Sequence, residues 1–180
     1  HRLGAVPAHP VQLEAQRREI MAEMSVFASK TMEYTNSAGA KREATFSPDG
    51  RTVAFVKSNN LYVTAVASPA ERPLTTDGNA GLLNGVLDWV YSEELYGRGI
   101  HRGYWWSPTG ATLAVCRNDV AGVPVWHISN PAQPGDAPSA VRYPAAGTTN
   151  PDVTLHLCPL DGSSPTEVVW DHAAYPYLAQ

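Results

Sequence analysis

FSPDGRTVAFV (46–56) and WSPTGATLAVC (106–116) are one phrase written twice, sixty residues apart. Each opens on an aromatic residue and Ser-Pro, passes one residue to a glycine, and runs on into an alternating strand. Pro48 presets the φ angle of a tight turn, and Asp49-Gly50 supply the rest of its geometry. Downstream of the first copy, SNN (58–60) reads as a turn, LYVTAV (61–66) as a second strand, SPAE (68–71) as another turn, and RPLTTDG (72–78) as a short third strand and exit. Downstream of the second copy, VTLHLCPLDGSSPTEVVW (153–170) forms a further strand–turn–strand phrase with Asp161-Gly162 in its turn.

Repeated hairpins of this kind predict an all-β chain, and a β-propeller ahead of a β-sandwich, because the recurring aromatic-Ser-Pro-x-Gly phrase is more specific than alternation alone. A blade takes about 40–50 residues, so residues 42–180 would supply about three. A closed ring takes at least about four blades. The expectation is therefore a propeller fragment whose unpaired edges the remainder of a larger protein covers. Upstream the pattern changes. Leu13, Ile20, Met24 and Phe27 recur at helical spacing, with Pro10 at the start, which predicts one helix over 11–29. Residues 30–40 read as a loop. The organisation expected is an N-terminal helix and linker over 1–41, followed by a partial propeller over 42–180.

Composition narrows the function. Hydrophobic content of 43% against 17% charged residues is a globular balance, and a net charge of −4 offers no basic surface to nucleic acid. No run is long enough for a membrane span. The chain begins at His1 and lacks a signal-peptide layout, so it reads as a piece of a larger protein. Its compartment is not legible, with the cytoplasm ranked ahead of secretion or the periplasm. Cys116 and Cys158 each sit in an apolar, strand-like run and read as buried free thiols. The six histidines show no metal-ligand spacing, so neither a metal nor a cofactor is expected.

The candidate site is LDWVYSEELYGRG (87–99), where Glu93 and Glu94 stand side by side in aromatic company. On a regular strand they would face opposite ways. A short helix interrupting a blade would bring Val90, Glu93 and Glu94 to neighbouring positions on one side. Two carboxylates this close repel unless a cation sits between them, and a primary ammonium, with three N–H donors, can satisfy both. The residues alone leave an alternative open: an exposed pair, or one bridged by Arg98 or Arg102.

FSPDGRTVAFVKSNNLYV, LTTDGNAGLLNGVLDWVYSEELYGR, GYWWSPTGATLAVCRND, VPVW and RYPAAGTTNPDV together resemble the N-terminal propeller of dipeptidyl peptidase IV-type serine exopeptidases, a branch of the prolyl oligopeptidase family. The phrase DWVY-x-EE followed closely by YWWSP carries most of that resemblance. It implies an eight-bladed propeller joined to a C-terminal α/β-hydrolase domain. It also implies a Ser-Asp-His triad in that domain that releases N-terminal dipeptides, preferably X-Pro, and a homodimer as a common assembly. Glu93 and Glu94 would bind the free N-terminal amine of the peptide substrate, with Trp89 and Tyr91 lining the cavity beside them. Ser92 stands where the family often has a third acidic residue. The arginine that usually assists is not placed; Arg42 lies upstream and Arg117 follows the YWWSP strand, and neither stands in a phrase that matches that role. No G-x-S-x-G nucleophile elbow occurs in the 180 residues, so no catalytic residue is expected here. A non-enzymatic scaffold propeller, a tripeptidyl peptidase with the same paired glutamates, and an independent small β-domain are the rival readings. Asp88 reads as a turn or cap residue, Trp105 and Trp106 as alternating between core and blade interface, and residues 142–151 as a structural loop.

Overall fold

The computed structural model describes residues 39–178, so the helix expected over 11–29 lies outside them. Four strands form the first sheet as a simple meander: β1 (Lys41–Phe46), β2 (Thr52–Lys57), β3 (Asn60–Ala65) and β4 (Ser68–Pro73), neighbours in that order. The β1–β2 turn is built by Ser47. Its N–H donates to Thr52 O at 2.8 Å, its carbonyl accepts from Gly50 N at 2.9 Å, and its hydroxyl oxygen accepts from Thr52 N at 3.0 Å. Sixty residues on, Ser107 makes the same three bonds: to Thr112 O at 2.8 Å, from Gly110 N at 2.9 Å, and from Thr112 N at 3.1 Å. Gly50 and Gly110 both take φ near +70° (71° and 72°), a region costly for any residue with a Cβ. The repeat in the sequence is thus a repeat of individual hydrogen bonds.

Ser58 and Asn59, with φ of 50° and 58°, form the two-residue turn between Lys57 and Asn60, as the primed hairpin geometry requires. The next turn differs from expectation. SPAE (68–71) lies in β4, and the chain reverses one step earlier, where Ala65 pairs with Ser68. Glu71 explains the shift: it faces Lys57 and Lys41 across the sheet, and these ion pairs hold it in the strand.

The second sheet holds β5 (Leu82–Asn84), β6 (Tyr104–Trp106), β7 (Thr112–Asp119), β10 (Asp152–Pro159) and β11 (Thr166–Val168). Between β7 and β10, β8 (Val125–Ile128) and β9 (Ser139–Arg142) pair with each other as a separate hairpin. β5 pairs with residues 117–119 of β7 and β6 with residues 113–115. They are two halves of one strand, broken by an excursion over residues 85–103. At the break Gly85 N donates to Cys116 O at 2.9 Å and Cys116 N to Gly103 O at 2.7 Å, so the ladder resumes where it stopped. A side chain at Gly85 would also crowd Val56, Leu61 and Tyr104 at 3.3–3.4 Å.

The phrase at 153–170 therefore completes the second sheet instead of opening a third blade. β10 pairs with β7 along its whole length, from Asp152 opposite Asp119 to Pro159 opposite Thr112. Two four-stranded meanders, successive in the chain and packed face to face, have the arrangement of adjacent propeller blades.

Their shared core joins Ala54, Val56, Leu61 and Val63 of the first sheet to Tyr104, Leu113, Val115 and Cys158 of the second. Tyr104, fully buried, also reaches across: its hydroxyl meets Ala54 O at 2.9 Å, Thr45 Oγ1 at 3.0 Å and Glu43 O. Trp106 Nε1 donates to Thr45 Oγ1 at 3.0 Å from the same face, while Trp105 packs on the opposite face, as its alternation predicts. Both thiols are free and buried, and burial pushes Cys116 up to about 12. Among the described residues no helix is long and apolar enough to cross a membrane.

Candidate functional site

The excursion leaves the second blade at Gly85 and returns at Gly103, and it carries the paired glutamates. Its neck is closed by Gly103 N on Gly85 O at 3.0 Å, Leu87 N on His101 O at 2.8 Å, and Asn118 Nδ2 on Val86 O at 3.0 Å. Above the neck, Asp88 starts a helical turn. Its carboxylate accepts from Val90 N at 2.9 Å and from Tyr91 N at 3.4 Å, the ordinary work of an N-cap. Asp88 is buried, and the loss of water raises its pKa against the pull of those two N–H groups.

Residues Val90–Leu95 then form one turn of π-helix, closed by Tyr96 N on Tyr91 O at 3.0 Å. Such turns are rare and cluster at functional sites. Val90, Tyr91 and Ser92 are buried beneath it. Glu93 and Glu94 are on its outer side, Glu93 with 29% of its side chain exposed and Glu94 open to solvent. The expected helix is present, and it separates Val90 from the glutamates instead of grouping the three. Among the described residues no hydrogen bond reaches either carboxylate. Arg98 Nε stands 4.0 Å from Glu93 on a side chain that is 90% exposed, a long surface ion pair of little energetic weight, and among the described residues no ion pair reaches Glu94.

The two aromatic candidates part company. Trp89 is half-buried and meets Tyr143 edge-on, with ring centres 4.5 Å apart. It lines an apolar groove of about 240 Å³ with Trp126, His127, Ile128, Val141 and Tyr143, where the β8–β9 hairpin meets the excursion. Tyr91 turns the other way, into the core with Leu87, Cys116 and Val153. Its hydroxyl accepts from Leu178 N at 2.9 Å, and Tyr96 Oη donates to Leu178 O at 2.9 Å. Burial raises both tyrosines, Tyr96 to about 12. Tyr96 and Leu178 had no signal in the sequence, since a contact across a π-turn falls outside the 3.6-residue period.

Neither arginine considered as a helper approaches the glutamates. Arg42 donates to Asn59 Oδ1 at 2.6 Å. Arg117 pairs with Asp77 at 2.5 Å on the inter-sheet side of β7, at a cavity of about 220 Å³ that Asn84 and His156 also line. Burial works to raise Asp77, yet hydrogen bonds from Asn84 and Arg117, with the guanidinium charge, hold it below the usual carboxylate value.

A family model described as the dipeptidyl peptidase IV (DPP IV) N-terminal region matches residues 13–180. The chain belongs to this family. Among curated relatives this DPP IV N-terminal region is similar to a probable dipeptidyl peptidase 4 of Aspergillus clavatus, 38% identical over 129 residues, which is 68% of this chain and 16% of that protein. It is also similar to a probable dipeptidyl-aminopeptidase B of Aspergillus niger, 34% identical over 148 residues, covering 75% and 16% of the two. Among solved structures, Porphyromonas gingivalis dipeptidyl peptidase 4 superimposes with a TM-score of 0.68 at 34% identity, covering 76% of this chain and 19% of that one. The chain thus spans about a sixth of the length of the curated relatives it matches. The stacked meanders are accordingly part of a DPP IV-type propeller, and the excursion that bears Glu93 and Glu94 is an insertion in its second described blade.

Proposed function

We propose that this DPP IV N-terminal region is the substrate-orienting part of a dipeptidyl-releasing serine peptidase, and that Glu93 and Glu94 bind the free α-ammonium of its peptide substrates. One observation carries the reading: two adjacent carboxylates on the outer side of a capped, core-anchored turn, with no hydrogen bond from the described residues. An ammonium between them donates to both. Each charge-assisted bond contributes about 1.5–3 kcal/mol where water is partly excluded. The glutamates move no proton and attack no bond; they fix where the chain begins. A nucleophilic serine in a C-terminal hydrolase domain of the whole protein then meets the bond after the second residue, which is selection by positioning. Trp89 belongs to the same excursion and offers apolar surface to the peptide.

The test compares Gly-Pro-p-nitroanilide with its N-acetylated form in the whole protein, for wild type, Glu93→Gln and Glu94→Gln. Cleavage of the free-amine substrate alone is expected, with kcat/KM falling at least tenfold in each variant, the equivalent of about 1.4 kcal/mol. Equal activity on both substrates, or unchanged kinetics in both variants, would refute it.

A further inference from the structure

Leu178 lies past the last strand of the second blade, yet both polar atoms of its backbone are taken by side chains from the glutamate-bearing turn. Its N–H donates to Tyr91 Oη at 2.9 Å and its carbonyl accepts from Tyr96 Oη at 2.9 Å. The tyrosines stand at the beginning of the π-turn and just past its end. The wider π pitch brings their rings to one side, with centres 5.8 Å apart, and Trp105 meets Tyr96 behind them at 6.1 Å. Glu93 and Glu94 are on the outer side of the same turn. Without this brace the excursion would be held by its neck and the contacts of its apolar residues, both of which permit rocking. With it, a main-chain segment more than eighty residues away fixes the turn at two points.

We infer that Tyr91 and Tyr96, acting through the Leu178 main chain, are positioning residues that set the pose of the Glu93–Glu94 pair. The inference rests on the amine-binding reading above. The tyrosines touch no substrate. They narrow the range of carboxylate positions, and a misplacement of about 1 Å between a bound group and the reacting centre can cost on the order of a hundredfold in rate. The bond count makes the effect graded: each hydroxyl supplies one neutral hydrogen bond, so removing either should cost about fivefold in productive pose.

The experiment is a double-mutant cycle in the whole protein with Gly-Pro-p-nitroanilide, using Tyr91→Phe, Tyr96→Phe and their pair, each with and without Glu93→Gln. Tyr→Phe removes a hydroxyl and no carbon. Thermal unfolding confirms that each variant is folded, and the singles carry the test if the pair is not. The expected result is a loss of about fivefold in kcat/KM for each single variant in the wild-type background, and little or no further loss once Glu93 is already glutamine. Losses that are the same size in both backgrounds would mean a general structural role and would overturn the inference. Unaltered kinetics in both Tyr→Phe variants would do the same. Failure of the underlying reading looks different: Glu93→Gln itself would then leave kcat/KM unchanged.

Discussion

Asp88 offers the sharpest check on how the excursion is held, because its two substitutions should behave differently. Asp88→Ala removes the acceptor for Val90 N at 2.9 Å and the weaker one for Tyr91 N at 3.4 Å. Losing an N-cap costs about 1 kcal/mol, and stranding a buried N–H adds a further 1 or so, giving about 2 kcal/mol in all. Asp88→Asn keeps a carbonyl acceptor and discards a charge that burial disfavours, so it should cost well under half of that. The pH dependence sets the sign. Burial raises the folded pKa of Asp88 above its unfolded value. Its favourable contribution is complete below the unfolded value, about 3.9, and is lost as pH rises through the folded one. Asparagine does not titrate there, so the asparagine variant should gain on wild type as pH rises from about 4 through the folded value. Hydrogen exchange at the amides of residues 90–96 reads this locally. The alanine variant should exchange about thirtyfold faster, the equivalent of about 2 kcal/mol. Equal damage from asparagine and alanine would refute the capping argument, and an asparagine variant that loses ground to wild type as pH rises would refute the claim that burial outweighs the two N–H bonds at Asp88.

Two further outcomes follow from the packing. Tyr104→Phe should destabilise the chain by about 2 kcal/mol in urea unfolding, since it takes a buried donor from Ala54 O and Glu43 O and the acceptor from the Thr45 hydroxyl between the blades; a loss below about 0.5 kcal/mol would show that the stitch contributes little. Asp77 is held below its ordinary pKa, so its contribution is present above about pH 4 and lost as pH falls through the folded value. Asp77→Asn should therefore flatten the acid side of the stability profile, measured as the urea midpoint from pH 5 down to pH 2.5, and an unchanged profile would count against the Arg117–Asp77–Asn84 cluster as an acid-sensitive contact.

What the sequence discloses depends on how far each contact reaches along the chain. The two Ser-Pro-x-Gly turns were legible because all their bonds lie within six residues, and Ser47 and Ser107 make the same set. SPAE was misread because Ser and Pro are turn residues in the abstract. β4 is an end strand, where a proline's missing N–H removes no ladder bond on the open side. The count of blades failed at a longer range. Three blades follow from length at about 40–50 residues each, but the excursion over 85–103 and the β8–β9 hairpin between β7 and β10 put that extra length into one sheet. The glutamates were legible as a pair on a short helix. The direction of Tyr91 was not, because a single short turn shows no 3.6-residue pattern to orient it, and the core claims the tyrosine.

The placement of the pair also explains how a protein keeps two like charges side by side with only a long surface contact from Arg98 to Glu93. Glu93 and Glu94 sit on the solvent side of a turn whose opposite side is core, so water screens their repulsion while the backbone beneath them stays fixed. Both ends of the excursion are stitched to adjacent positions of one ladder, through Gly85, Cys116 and Gly103, so its closure adds no long flexible loop. On the proposed reading, an arriving ammonium would displace that water and meet carboxylates carried on a backbone that is already fixed.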